Sequence, residues 1–121
     1  MSKLLIEKTG KTPALHYESE GNAFLLRGIC IPEDPRPFFE RLISQVHDKA
    51  KASNADQTFR FRLDYFNTLS AKYLYDFLKK ITTPGLQVIW EYEAEDEDML
   101  EAGQEFAVML EADIVFLPYS A

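Results

Sequence analysis

The pattern of hydrophobic and polar positions changes period within residues 59–81, where it predicts a strand that runs directly into a helix. Alternate positions in the first part of this stretch are apolar: Phe59, Phe61, Leu63 and Tyr65. The positions between them are mostly polar: Arg60, Arg62, Asp64 and Phe66. A period of two is typical of a strand with one buried face. The apolar residues then follow the i, i+3, i+4, i+7 spacing of an amphipathic helix: Leu74, Phe77, Leu78 and Ile81.

Asn67, Thr68 and Ser70 lie where the strand pattern gives way to the helix pattern. The first N–H groups of a helix lack partners within the helix, and a short side-chain oxygen can accept one of them. Asn67 or Thr68 is therefore the predicted N-cap. Because α/β proteins tend to place their sites at the carboxyl edge of the sheet, this junction is also the predicted functional centre.

Five other segments predict strands, at residues 4–9, 14–19, 23–31, 86–94 and 114–119. The Gly21-Asn22 pair predicts a tight hairpin between the second and third of the chain's strands. Residues 23–31 are almost continuously apolar, which predicts an interior strand covered on both faces. Pro118 predicts that the last segment is an edge strand or an irregular tail.

Two further helices are predicted, one on each side of the central stretch. Asp34 followed by Pro35 is a good N-cap and first helical residue. The apolar stripe of this first helix consists of Phe39, Leu42, Ile43, Val46 and Ala50. A polar loop follows at 51–57, and Thr-Pro-Gly at 83–85 ends the second helix. The acidic run 95–98 suits the start of a third helix, whose apolar side is Met99, Gly103, Phe106, Ala107 and Leu110.

The order of these elements predicts the fold class. Strands and helices alternate from residue 23 onward, which favours right-handed crossovers and a mostly parallel α/β sheet. The N-terminal hairpin adds antiparallel strands at one edge. Polar residues alternate along two of the interior strands, so we expect the helices mainly on one face and the other face partly open. The 121 residues suit a single domain, 1–121.

Composition narrows the classes of function. Hydrophobic residues make up 46% of the chain, which is enough for a full core. Thirteen basic and 20 acidic residues give a net charge of −7, which argues against binding to nucleic acid or to an anionic membrane surface. The N-terminus does not resemble a signal peptide, and Cys30 has no partner for a disulfide, so we expect a cytoplasmic protein.

Candidate catalytic residues are few, and no catalytic residue, metal site or cofactor is predicted. His16 and His47 have no serine, cysteine or carboxylate at a recognised spacing, and Cys30 lies in an apolar strand. The chain has no glycine-rich phosphate loop. The carboxylates from Glu91 to Asp98 leave one enzymatic alternative, a small metal-dependent hydrolase, but no nucleophile or base accompanies them.

Thr68 and Ser70 have two interpretations. Hydroxyl residues at a helix start are ordinarily structural, and spacing alone favours that interpretation. The other interpretation is a phosphorylation switch, because the helix dipole and free N–H groups tolerate a phosphate there. The added charge of about −1.5 to −2 would then act mainly on a partner surface, where a desolvated dianion is costly.

Four motifs of the chain are, in order, GKTP from residue 10, IPED from 31, LDYFNTLSAKYL from 63 and WEYEAEDEDMLEAGQEF from 90. Together they resemble the SiaC family of bacterial regulatory phosphoproteins. The combination of YFNT-x-S-x-K with the tryptophan segment is the specific part. The family fold is similar to that of STAS domains, found in anti-sigma-factor antagonists. The chain departs from the family pattern at Leu69, where serine is usual, and at Ile31.

The resemblance implies a partner-switching module rather than an enzyme. A dedicated Ser/Thr kinase would phosphorylate Thr68, with Ser70 as second choice, and a PPM-type phosphatase would remove the phosphate. The unphosphorylated form would bind a diguanylate cyclase and promote cyclic-di-GMP synthesis, and thereby aggregation or biofilm growth. The implied partner-binding residues are Asn67, Thr68, Leu69, Ser70, Lys72 and Tyr73. A second hypothesis keeps the switch but changes the effector to an anti-sigma factor or a histidine-kinase-like protein.

Overall fold

The computed structural model describes residues 2–51 and 56–120. The strands are β1 (Ser2–Ile6), β2 (Ala14–Glu18), β3 (Ala23–Cys30), β4 (Gln57–Phe66), β5 (Leu86–Glu93) and β6 (Ile114–Tyr119). The helices are α1 (Arg36–Lys51), α2 (Thr68–Ile81) and α3 (Glu97–Leu110). Most of the polar loop predicted at 51–57 lies outside the described residues.

The described strands form one sheet, and their order across the sheet is the same as their order along the chain, β1 to β6. The first three strands pair antiparallel, and the pairs from β3 to β6 are parallel. Each crossover therefore advances in the same direction, and crossovers of one hand place their helices on one face. The mixed, mostly parallel α/β sheet predicted from the sequence is confirmed.

Aromatic side chains fill the space between the sheet and the helices. The ring of Phe77 on α2 meets those of Phe59 and Phe61 on β4, at centroid distances of 5.2 and 6.2 Å. On the other side of β4, Trp90 packs against Phe106 of α3 at 5.8 Å. These rings are almost entirely buried, and burial of large apolar side chains is the main source of stability in such a core.

The opposite face of the sheet carries charged side chains and has no helix over it in the described chain. Glu91 lies there with only 5% of its surface exposed, because Arg60 and Arg62 both bond to it. The Nε atoms of the two arginines lie 2.8 and 2.7 Å from the two carboxylate oxygens. The prediction that β3 is covered on both faces is wrong, since Arg27 and Ile29 are exposed on this side.

A β-bulge at the end of β4 changes which side chains face the core. Gly28 of β3 pairs with Leu63, but the next residue, Ile29, pairs with Tyr65, so that Asp64 has no partner on β3. Tyr65 is consequently 59% exposed, whereas Phe66 packs against the core. The predicted alternation, which placed Tyr65 in the core and Phe66 outside, is wrong at these two positions.

The remaining differences from the predicted elements are small. The first strand begins two residues earlier than predicted and ends at Ile6. The hairpin between β2 and β3 has the longer connection 19–22, in which Asn22 supplies a positive φ of 48°. Ala50 is exposed rather than part of the buried stripe of α1. The last segment is an edge strand with the bounds predicted.

Candidate functional site

The start of α2 is fixed to the sheet by the backbone and side chain of Asn67. The Asn67 N–H donates to the carbonyl oxygen of Cys30 at the end of β3, at 3.2 Å. Its side-chain Oδ1 accepts from the N–H of Ser70 at 2.9 Å, and its carbonyl accepts from Ala71 at 3.0 Å. Asn67 is thus the N-cap. Thr68, the other predicted candidate, does not have this role.

Thr68 is the first residue of α2 and its side chain is exposed. Its hydroxyl makes no hydrogen bond to any described residue, because Asn67 already satisfies the cap. Ser70, by contrast, is fully buried beneath the helix start. The hydroxyls of Thr68 and Ser70 therefore differ in solvent exposure. Of the two, only that of Thr68 can be reached from solvent in this conformation.

Cys30 and Ser70 are neighbours below the helix start. Burial raises the pKa of the Cys30 thiol, and the nearby Ser70 hydroxyl offsets part of that rise. The Ser70 hydroxyl itself has no well-formed hydrogen bond to a described residue. Cys30 is fully buried, so it has the position of a core residue, as the sequence indicated, and its thiol stays protonated at neutral pH.

The charges around Thr68 favour an added negative charge at this position. No acidic residue occupies the first turn of α2, and Lys79 and Lys80 lie in its last turn. Lys72 is exposed and stands four residues after Thr68, a spacing that places both on one side of the helix. A phosphate on Thr68 would therefore meet the positive end of the helix and a nearby ammonium group.

The other predicted partner-binding residues divide by exposure. Leu69 is 48% exposed, so its side chain can contact another surface. Tyr73 is half-buried, since its ring stacks on Phe39 of α1 at a centroid distance of 5.6 Å. Leu69 and Lys72 are thus available for contact beside Thr68, while Tyr73 mainly joins two helices.

Sequence reasoning missed an exposed apolar pair at the same edge of the sheet. Tyr65 precedes Thr68 by three residues, and Ile29, 36% exposed, is its partner on the neighbouring strand. The strand alternation concealed Tyr65, because the bulge that turns it outward depends on pairing between β3 and β4. The available signal was Gly28, because a glycine inside a strand pattern often marks a bulge.

The carboxylates of the enzymatic alternative do not converge. Both oxygens of Glu91 are bonded to arginines on the open face of the sheet. Asp96 is the N-cap of α3, where its Oδ1 accepts from the N–H of Met99 at 3.1 Å. Within the described ranges, no group of three or more metal-ligating side chains is arranged to hold a metal ion.

Of the two histidines, His47 is exposed on α1, and His16 is half-buried on β2 at the open sheet face. None of the described helices combines the length and the apolar character that crossing a membrane requires.

The sequence profile of the SiaC family regulatory phosphoproteins matches residues 6–119. The chain belongs to this family. No curated protein sequence is significantly similar to it. The match includes every described strand and helix after the first residues of β1, so it covers the whole arrangement around Thr68.

Solved structures of SiaC from Pseudomonas aeruginosa have the same fold. SiaC in the crystal structure of the diguanylate cyclase SiaD in complex with its activator SiaC has a TM-score of 0.82 and 22% identity, covering 97% of this chain and 100% of that one. Apo-SiaC has a TM-score of 0.72 and 23% identity, covering 97% and 99%. A third SiaC structure has a TM-score of 0.76 and 23% identity over the full length of both chains.

Proposed function

We propose that this chain is a partner-switching regulator that binds and activates a diguanylate cyclase when Thr68 is unphosphorylated and releases it when Thr68 is phosphorylated. The observation that carries the proposal is the exposed Thr68 hydroxyl at a helix start whose cap is supplied by Asn67. The complex between SiaD and its activator SiaC supports a diguanylate cyclase as the effector. In this proposal the chain acts on the cyclase by binding to it.

The structure of the junction explains how phosphorylation would alter binding without unfolding the chain. Phosphate at the first residue of α2 is compatible with the helix dipole, so the internal cost is small. At an interface, the same dianion must lose its water, which is costly unless the partner surface supplies a cation. Leu69 is the exposed apolar neighbour that would enter the same interface, next to the charge. The switch therefore acts on the partner surface.

Thr68 is the proposed substrate of a Ser/Thr kinase and of a PPM-type phosphatase. The exposure of Thr68 supports this role. Ser70 is buried, so the start of α2 would have to open before a kinase could reach its hydroxyl. Such a cycle uses ATP and operates in the cytoplasm. Peptide-level mass spectrometry of protein from its native cell, with the phosphatase inactive, should find phosphate on Thr68. Phosphate on Ser70 alone, or none, would contradict this assignment.

The effector step is tested by measuring the affinity of the chain for the diguanylate cyclase of its own cell, together with cyclic-di-GMP production. Thr68→Ala should bind and activate as the wild type does. The Thr68 phosphoprotein should bind at least about tenfold more weakly, since an unsatisfied buried charge costs well over 1.4 kcal/mol. Thr68→Asp should show part of this loss, because it carries one charge instead of two.

A matched control places the same charge elsewhere on the helical layer. Ser44 is exposed on α1, so Ser44→Asp adds a carboxylate away from the start of α2. It should leave affinity and activation unchanged. Equal affinities for Thr68→Ala and the phosphoprotein would refute the switch. A full switch with a different captured effector would keep the mechanism and refute the cyclase.

A further inference from the structure

The open face of the sheet contains a groove of about 780 Å³ that takes no part in the Thr68 surface. It lies over the carboxyl halves of β3, β4 and β5 and is bordered by β2, by β6 and by residues 4–8 of β1 and the segment that follows it. Arginine side chains and carboxylates both line it, at Arg27, Arg62, Asp64 and Glu93. Its volume is within the range of about 300–1,000 Å³ that small-molecule sites occupy.

Arg62 is held in one orientation by its neighbours. Its Nε donates to Glu91 at 2.7 Å, and Glu91 is in turn held by Arg60 on its other oxygen. The guanidinium carbon lies 4.3 Å from the centroid of the Tyr119 ring, a cation–π distance. Of the three guanidinium nitrogens of Arg62, only Nε is hydrogen-bonded to a described residue. Its two terminal amino groups therefore remain available. A fixed guanidinium with free donors is well suited to bind an oxyanion.

Arg27 supplies a second positive charge beside Arg62. The two residues are paired in register on the adjacent strands β3 and β4. Arg27 is exposed and forms no ion pair with any described residue. Like charges at neighbouring positions of a sheet repel each other, and an anion bound between them would relieve that repulsion. The pair therefore forms an anion-binding wall of the groove.

A wall of opposite charge lies beside the arginines, because Asp64 follows Arg62 by two residues on β4. Asp64 and Glu93 line it, and neither makes an ion pair with a described residue. Tyr119 on β6 is paired in register with Glu93, and its ring lies against the Arg62 guanidinium. Burial raises the pKa of its hydroxyl, the Asp64 carboxylate raises it further, and Arg62 acts in the opposite direction. Arg62 and Asp64 are two residues apart on one strand and lie on the same face, so one small molecule can reach both walls.

We propose that this groove binds a small amphoteric molecule, with an anionic group on Arg27 and Arg62 and N–H donors on Asp64 and Glu93. A phosphate or carboxylate fits the arginine wall, since guanidinium donors match its oxygens in pairs. An ammonium or guanidinium group, or the adjacent ring N–H and amino group of guanine, fits the carboxylate wall. Guanine nucleotides and basic amino acids share this chemistry, and both are used as probes.

The test is a chemical-shift titration of the labelled full chain with GMP, L-arginine, AMP and inorganic phosphate. GMP or L-arginine should shift the amides near Arg27, Arg62, Asp64 and Tyr119. AMP has the phosphate but lacks the paired donors of guanine, and phosphate has only the anion, so both should bind at least about tenfold more weakly. A response to GMP indicates a nucleotide site, and a response to L-arginine indicates an amino-acid site.

Two variants assign the walls without disturbing the ion pairs of Glu91. Arg27→Ala and Asp64→Asn alter exposed side chains, and each should weaken binding of the responding probe about tenfold or more. Arg41→Ala, which removes an exposed arginine from α1, should have no effect. Equal binding of AMP and GMP without a response to L-arginine, binding unaffected by either groove variant, or no response to GMP and L-arginine would overturn the proposal.

Discussion

The two junctions from strand to helix, before α2 and before α3, use the same capping hydrogen bond but carry different charge. Asn67 accepts from the N–H three residues later at 2.9 Å, and Asp96 does so at 3.1 Å. The first turn of α3 also contains Glu97 and Asp98, whereas that of α2 contains no acidic residue. The dipole of α3 is therefore already matched by carboxylates, and that of α2 is free to accept a charge.

The bodies of the two helices are held to the sheet in different ways. Trp90 donates from Nε1 to the carbonyl oxygen of Met99 at 3.0 Å, and Gly103 lets the same indole approach the backbone of α3. In α2 the contact is made by Phe77 against the rings of β4. Both helices are thus firmly anchored, so the difference between the junctions concerns charge and access at their first residues.

The largest effect is expected where α3 meets the sheet. A Cβ at residue 103 would lie 2.7 Å from two atoms of the buried Trp90 ring and 2.9 Å from Phe116. Gly103→Ala should therefore lower the free energy of unfolding by about 1–3 kcal/mol, as expected for overpacking. Urea unfolding measures this change. An added methyl at an open helix position would instead stabilise by roughly 1 kcal/mol.

Gly10→Ala is the matched control for that prediction, because no atom lies within 4 Å of the new methyl group. It should change the free energy of unfolding little. If Gly103→Ala were as mild as Gly10→Ala, the indole would not be the anchor of α3, and the two helices would not be equally fixed.

The next largest effect concerns the cap of α2. Asn67→Ala removes the acceptor of the Ser70 N–H and should lower the free energy of unfolding by about 1 kcal/mol, within a range of 0.5–2. Asn67→Asp keeps an oxygen in place and should retain the stability. Chemical unfolding of the three proteins checks this. An unchanged stability in Asn67→Ala would mean that another group, such as Thr68, takes over the cap.

The reactivity of the Cys30 thiol measures the local stability of the same junction, because Cys30 lies below the start of α2. Its buried thiol, with a raised pKa, should react with a thiol reagent at pH 8 much more slowly than cysteine in the unfolded chain. Asn67→Ala should raise the native rate roughly fivefold, as a loss of about 1 kcal/mol in local stability implies. Asp96→Ala weakens the other junction and should leave the rate unchanged. A larger increase from Asp96→Ala would refute the local origin of the effect.

The smallest effect is expected from charge at Thr68 itself. Thr68→Asp should increase the free energy of unfolding by about 0.3–1 kcal/mol at low salt, because it places a carboxylate at the vacant positive end of α2. Val108→Asp, an exposed position in the last turn of α3, should have the opposite sign. Thermal unfolding at two salt concentrations measures both. A strong loss of stability in Thr68→Asp would indicate that phosphorylation acts on the fold instead of the partner surface.

Particular residues show where sequence reasoning succeeded and where it failed. The helix of residues 68–81 and the buried positions of α3 followed from side-chain period, because each period places a whole set of residues on one face. Tyr65 and Phe66 did not follow, since their orientation depends on a bulge relative to β3. The burial of Glu91 did not follow either, because it depends on two arginines from the adjacent strand.

The site shows the same division. Asn67, Thr68 and Ser70 were placed correctly at the helix start, because capping chemistry is local. Which of them is the cap, which is exposed and which is buried depends on how deeply the helix start sits against Cys30. The groove on the open face is lined by residues of separate strands, and no short motif in the sequence predicts it.

The sequence by itself determined the elements, the sheet class and the junction at residue 68, because these depend on period, caps and the order of segments. Only the tertiary structure decided that Thr68 is exposed while Ser70 is buried, that Tyr65 points outward, and that Arg27, Arg62, Asp64 and Glu93 line one groove. The physical reason is that exposure and ion pairing are properties of neighbours brought together by strand register, which the linear pattern does not contain.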